Sequence, residues 1–111
     1  MDALGDAISG LRAAQLQLDV AAGNVANLNT PGFQPQDVAL SSRADGGVSG
    51  TVVPGQAPPT IPGLPAGQQP SGTDLIEEMA TLVSAPISYD ANARVVDATA
   101  ATTRSLFEAF A

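Results

Sequence analysis

Apolar residues recur at helical spacing near both ends of the chain and lose any regular spacing between them. Over residues 3–28, Leu4, Leu11, Leu18 and Val25 stand seven apart, and Ile8, Gln15 and Ala22 take the intermediate positions, with Arg12, Gln17 and Asp19 off the stripe. The pattern predicts an amphipathic helix. Gly5, Gly10 and Gly23 each weaken such a helix by about 1 kcal/mol relative to Ala, so packing must supply what propensity does not. Asn29-Thr30-Pro31-Gly32 is the predicted stop. Pro31 biases Thr30 out of helical backbone angles, and Gly32 suits a tight turn.

The longest regular pattern lies over residues 73–110. Leu75, Leu82, Tyr89, Val96, Thr103 and Phe110 form one series seven apart, and Met79, Pro86, Ala93, Ala100 and Phe107 form a second, offset by four. This alternation predicts an apolar seam along one helix face. Ser71-Gly72-Thr73-Asp74 reads as a capping signal, and Asp74, Glu77 and Glu78 suit a helix N-terminus. Pro86 removes the bond to the Leu82 carbonyl and is expected to kink or split the helix.

Between the two patterns lie six prolines from Pro54 to Pro70 and seven glycines from Gly46 to Gly72, a composition unsuited to a helix interior or a central strand. Apart from a short extended piece at Gly50–Val53, this stretch is expected to be a loop, extended or disordered in the free chain. The expected fold class is all-α: two long terminal helices packed as an antiparallel coiled-coil-like hairpin. Its parts are residues 1–33 (helix and turn), 34–72 (irregular connector) and 73–111 (second helix, kinked near Pro86).

Composition narrows what such a hairpin can do. Much of the 44% apolar content is alanine, and aromatics reach only 4%. Small side chains bury little area at about 25 cal/mol per Å², so a large private core is not expected. Burial is expected to be completed against copies of the chain or partners. A net charge of −7, with four arginines and no lysine, excludes a basic patch for nucleic acid and argues against a helix lying on anionic membrane. Asp2 and Asp6 stand where a cleaved signal would carry basic residues, and no long apolar run follows, so neither such a signal nor membrane insertion is expected.

Candidate chemistry is sparse. With no Cys, His or Lys, the chain lacks the commonest metal ligands and any base to activate Ser or Thr. Glu77-Glu78 and the pair Asp90 and Asp97 suggest no shared pocket and read as solvated charges. Tyr89 reads as a seam residue. No catalytic residue, cofactor or metal site is expected, and the chain is not expected to be an enzyme. The dense amide cluster Asn24, Asn27 and Asn29 admits two readings: fraying and C-capping of the first helix, or side-chain bonding across subunit boundaries that sets register. Its density favours the second.

The run Gly10 to Phe33, GLRAAQLQLDVAAGNVANLNTPGF, resembles the N-terminal signature of flagellar rod and hook proteins. Leu18, Asp19 and Val20 match its approach; Ala22, Asn24, Val25, Ala26 and Asn27 its core; Asn29, Thr30, Gly32 and Phe33 its close. Asp74 to Val96 resembles the family's C-terminal helix through Glu77, Glu78, Met79, Tyr89 and Asn92. Gly23 departs from the signature's first Asn, Pro86 from a polar helix former, and the connector is shorter and richer in proline.

The resemblance, closest to the small proximal-rod type, implies a structural subunit of the bacterial basal-body rod that polymerises through its terminal helices. It implies passage through the flagellar type III export apparatus without a cleaved signal, and a periplasmic rod location beside other axial proteins. The residues expected to pack or register subunits are Asn24, Asn27, Asn29, Leu11, Leu18 and Val25 in the first helix, and Leu75, Met79, Leu82, Tyr89, Asn92 and Val96 in the second. An alternative reading is a regulatory or capping paralogue that is not incorporated.

Overall fold

The computed structural model describes residues 2–111; residue 1, the first of the N-terminal segment, lies outside the described residues. Helix α1 spans Ala3–Ala26. It starts at Asp2, whose carboxylate accepts a hydrogen bond from the Leu4 N–H at 3.1 Å, satisfying one of the free donors of the first turn. Helix α2 spans Leu75–Phe110 and starts in the same way, with Asp74 accepting from the Ile76 and Glu77 N–H groups. Pro86 neither ends nor splits α2, which runs through it as one helical segment. Its ring sits on an exposed face.

The segment between the helices overturns the all-α expectation. Strands β1 (Gln36–Ser42) and β2 (Val48–Pro54) pair antiparallel, with Val38 opposite Val52 and Leu40 opposite Gly50. The turn uses Gly46 and Gly47 at positive φ (100° and 78°), where other residues would be strained. Val38, Leu40, Val48, Gly50 and Val52 share one face of the ribbon, and polar Asp37, Ser41, Ser49 and Thr51 take the other. At Gly50 the missing side chain admits Leu16 of α1, whose Cδ2 would lie 3.1 Å from a Cβ there. A two-stranded ribbon is marginal alone and needs a helix to pack on.

The ribbon lies along α1 because the two lengths agree. Seven strand residues span about 23 Å, and the stretch of α1 from Ser9 to Asn24 spans a similar distance. Each end is pinned. The Ser9 hydroxyl donates to the Asp6 carbonyl (2.6 Å) and accepts from the Val48 N–H (3.0 Å), and the Asn24 amide holds Gln36 at the other end. Past β2, the chain returns through a single turn of 3₁₀ helix, η1 (Ala66–Gln68), along a defined path. Gly55 N–H donates to the Pro35 carbonyl, Gly32 N–H to Gln69, and Gly72 N–H to Phe33. The Gln69 side chain bridges Ile61 and Leu64.

The helices pack antiparallel and in step. Asn24 meets Glu78, and Gly10 faces Asn92, so two heptads of α1 run against two heptads of α2 without slippage. The residues that close this interface are small: Ala7, Ala14 and Ala21 on α1, and Ala85 on α2, are all buried. Both seams lie one residue from their expected phase. Ala7, Ala14 and Ala21 replace Ile8, Gln15 and Ala22 as companions of the leucine series, and Glu78, Ala85 and Asn92 replace Met79, Pro86 and Ala93. Alanine and glycine let the helix axes approach closely, which bulkier residues at the neighbouring positions would prevent.

Two substitutions separate these effects. Ala14→Leu overfills the seam and is expected to cost about 1–3 kcal/mol. Gly23→Ala meets no atom within 4 Å and is expected to add roughly 0.5–1 kcal/mol. Folding titrations with trimethylamine N-oxide, followed by far-UV circular dichroism, should move the midpoint in opposite directions for the two variants.

Candidate functional site

The Asn24 side chain is 2% exposed and is the largest fully buried side chain among the described residues. A buried amide must find partners for both its donors and its acceptor. Asn24 finds three. Its Nδ2 donates to the Gln36 carbonyl (2.8 Å) and to Glu78 Oε1 (2.7 Å), and its Oδ1 accepts from the Gln36 N–H (2.9 Å). Its own carbonyl accepts from the Thr73 hydroxyl at 3.1 Å. One residue thus ties the last turn of α1 to the start of β1 and the first turns of α2.

Glu78 is buried, so it is not the solvated first-turn charge that its sequence position suggests. Burial pushes its carboxyl above the usual glutamate range, partly opposed by the hydrogen bond from Asn24; Glu77, Asp37 and Asp74 add to the upward shift. Beside it a polar cleft of about 320 Å³ opens between α1, β1 and α2, with Gln17 and Asp37 on its walls. No group of three or more His, Cys, Asp or Glu residues among the described residues could hold a metal. The Thr81 hydroxyl on the cleft wall donates to the Glu77 carbonyl at 3.2 Å.

The remaining amides divide between two roles. Asn27 serves the end of α1: its Nδ2 donates to the Gly23 carbonyl at 2.8 Å, and its Oδ1 accepts from the Thr30 hydroxyl at 3.0 Å. Asn29 is exposed in the following turn. Of the three amides assigned to register, Asn24 is committed within its own chain, Asn27 caps, and Asn29 faces outward. Asn92 is half-buried opposite Gly10 and donates to the Ser88 carbonyl.

The apolar residues assigned to packing also separate. Leu11, Leu18, Val25, Leu82 and Val96 are half-buried, whereas Leu75, Met79 and Tyr89 are exposed. Leu106, Phe107 and Phe110 project from α2 beyond the start of α1, with Phe110 86% exposed. Among the described residues the buried apolar side chains are five alanines and Pro35, so most of the large apolar side chains still lack a cover. No helix among the described residues is long and apolar enough to cross a membrane.

Sequence reasoning missed Gln36, Thr73 and the inward turn of Glu78. The Asn24–Glu78 contact spans fifty-four positions, and only a heptad phase set at Ala7, Ala14 and Ala21 would have pointed both residues into one seam. The family model described as flagella basal body rod protein matches residues 6–34, from α1 through the turn that follows it. No curated protein matches the chain.

Two variants report on the junction. Asn24→Ala leaves the Gln36 N–H and the Glu78 carboxylate without their partner and is expected to cost on the order of 2–3 kcal/mol. For Glu78 the folded-state pKa lies above the unfolded one. In the window between them the folded chain holds a proton that the unfolded chain has released, so this group's contribution to stability falls as pH rises and returns on acidification. Glu78→Gln should therefore fold at lower osmolyte concentration than the parent at pH 7, with the difference shrinking as pH drops through that window.

Proposed function

We propose that this chain, whose residues 6–34 match the flagella basal body rod protein family, is a structural subunit of the rod that polymerises through its two terminal helices. The observation that carries the reading is the distribution of apolar surface. Among the described residues the buried hydrophobic side chains are alanines, and large side chains such as Ile76, Val83, Phe107 and Phe110 lie outside. A chain so built reaches adequate burial only in an assembly. The matched segment includes Asn24, so the signature residue with the most contacts holds the subunit's own shape, leaving Asn29 and the outer helix faces for neighbours.

In this reading the partners are copies of the chain and other axial proteins. Delivery is through the flagellar export apparatus without a cleaved signal, and the position is near the proximal end of the periplasmic rod. An elongated form of 75 × 25 × 16 Å suits side-by-side packing in a tube wall. The two features that favour a non-incorporated paralogue lie away from the helix–helix seam: a Cβ at Gly23 meets nothing within 4 Å, and Pro86 is exposed on an unbroken helix.

Antibody against the chain should label purified basal bodies along the rod, and a deletion strain should lack assembled rods. Normal rods together with altered export would instead favour the regulatory paralogue. The free chain at low concentration is expected to show little helical circular dichroism, gaining helix as it assembles. A cooperative, high-temperature melt from a demonstrably monomeric sample would oppose this.

A further inference from the structure

The ribbon has two strands and therefore two free edges. Its flanking bonds fix which groups those edges present. The Arg43 N–H donates to the Gly47 carbonyl, and the Gly55 N–H to the Pro35 carbonyl. By the strand register, odd-numbered residues of β1 therefore bond inward to β2, and even-numbered ones turn their N–H and carbonyl outward. At Gln36 both outward groups are taken: the N–H donates to Asn24 Oδ1, and the carbonyl accepts from Asn24 Nδ2. The Asn24 carboxamide thus stands where the first peptide unit of a third strand would. At Val38 and Leu40 the same outward groups have no partner among the described residues.

That open edge borders the polar cleft of about 320 Å³ between β1, α1 and α2. No Cα of β1 lies within 8 Å of a Cα of α2, whereas a third strand would sit about 4.8 Å from β1. Asp37 lines the cleft on the β1 side, Glu77 and Glu78 on the α2 side, with Val20 and Ala21 of α1 between them and no arginine. The outer edge of β2 is blunted at both ends. Its Val48 N–H is taken by the Ser9 hydroxyl, and Pro54 has no N–H to offer.

We infer that the free edge of β1, beside the acidic cleft, receives an extended segment of another protein as a third strand of the ribbon, one that brings a lysine or arginine to Asp37, Glu77 and Glu78. Main-chain bonds at Val38 and Leu40 hold such a strand, and the carboxylates select its charge. The segment belongs to another protein because this chain has no lysine, and its own non-helical stretch, residues 34–73, holds one cation, Arg43, already paired with Asp45. The contact uses neither the alanine seam nor the exposed end of α2, so its loss would leave the rod assignment standing.

A fluorescent eight-residue peptide alternating threonine and valine, with one central lysine, is titrated into the full chain held folded in trimethylamine N-oxide, and its anisotropy is read. It should bind about tenfold more tightly than the same peptide with glutamate in place of lysine. Methylating every second amide nitrogen should abolish binding in one of the two phases and spare it in the other, because a strand pairs through alternate residues. Asp37→Asn with Glu77→Gln should weaken binding severalfold, whereas the same charge change at Asp97 and Glu108 should leave it intact. Leu40→Pro removes an outward N–H without breaking the ladder to β2, and should abolish binding at an unchanged osmolyte midpoint; if that midpoint moves, the methylated peptides decide. Equal affinity for the lysine and glutamate peptides, or the same result in both methylation phases, would overturn the inference. So would release of the peptide as chain concentration rises, which would give the edge to a second copy.

Discussion

A single buried amide organises this chain. Asn24 sits where α1 ends, β1 begins and α2 starts, and its side chain bonds to the second and third of these at once. The alanine seam supplies close contact but little specificity, because one alanine surface resembles another a turn away. A register slip of the helices would leave the Asn24 amide and the Glu78 carboxylate buried without each other, each at a desolvation cost that weak alanine packing could not offset. The amide therefore selects one alignment from several of similar packing energy. That is the role a buried polar residue has in helix pairing generally, exercised here within one subunit.

The β-ribbon follows from the same point. Gln36 is held to Asn24 through both its backbone N–H and its carbonyl, so the strand leaves the helix end in a fixed direction. Fifteen residues back along α1, Ser9 holds Val48 at the start of the returning strand. Gly50 lets Leu16 seat between these points. The proline-rich return then closes on the turn after α1, where a Cβ at Gly72 would press on Pro35 and Pro58. Its prolines lack donors but still pack, and its backbone carbonyls and N–H groups find partners across the junction.

The cost of this arrangement is a weak interior. Glu78 is buried against its preference, and the core has no large apolar residue. Both features suit the proposed assembly, in which final burial would come from neighbours. A chain stable alone would have less to gain from assembly, and one with a large private core would have fewer apolar side chains left outside.

Much of this was legible in the residues. Two helices, their capping aspartate at position 74 and the stop at Asn29–Gly32 all follow from spacing and composition. The resemblance to flagellar rod proteins rests instead on the motif between Gly10 and Phe33, within the stretch 6–34 that the family model matches. The ribbon was also written in the chain, in the alternation of Val38 and Leu40 and of Val48 and Val52 about a double glycine, but the surrounding prolines and glycines obscured it. What only the tertiary structure decided was phase and partnership. Positions three and four residues after a leucine lie on nearly the same helix face, so periodicity cannot choose between Ala7 and Ile8, or between Glu78 and Met79. That choice is made by which side chains are small enough for two helices to approach, and by an asparagine that needs a carboxylate fifty-four residues away.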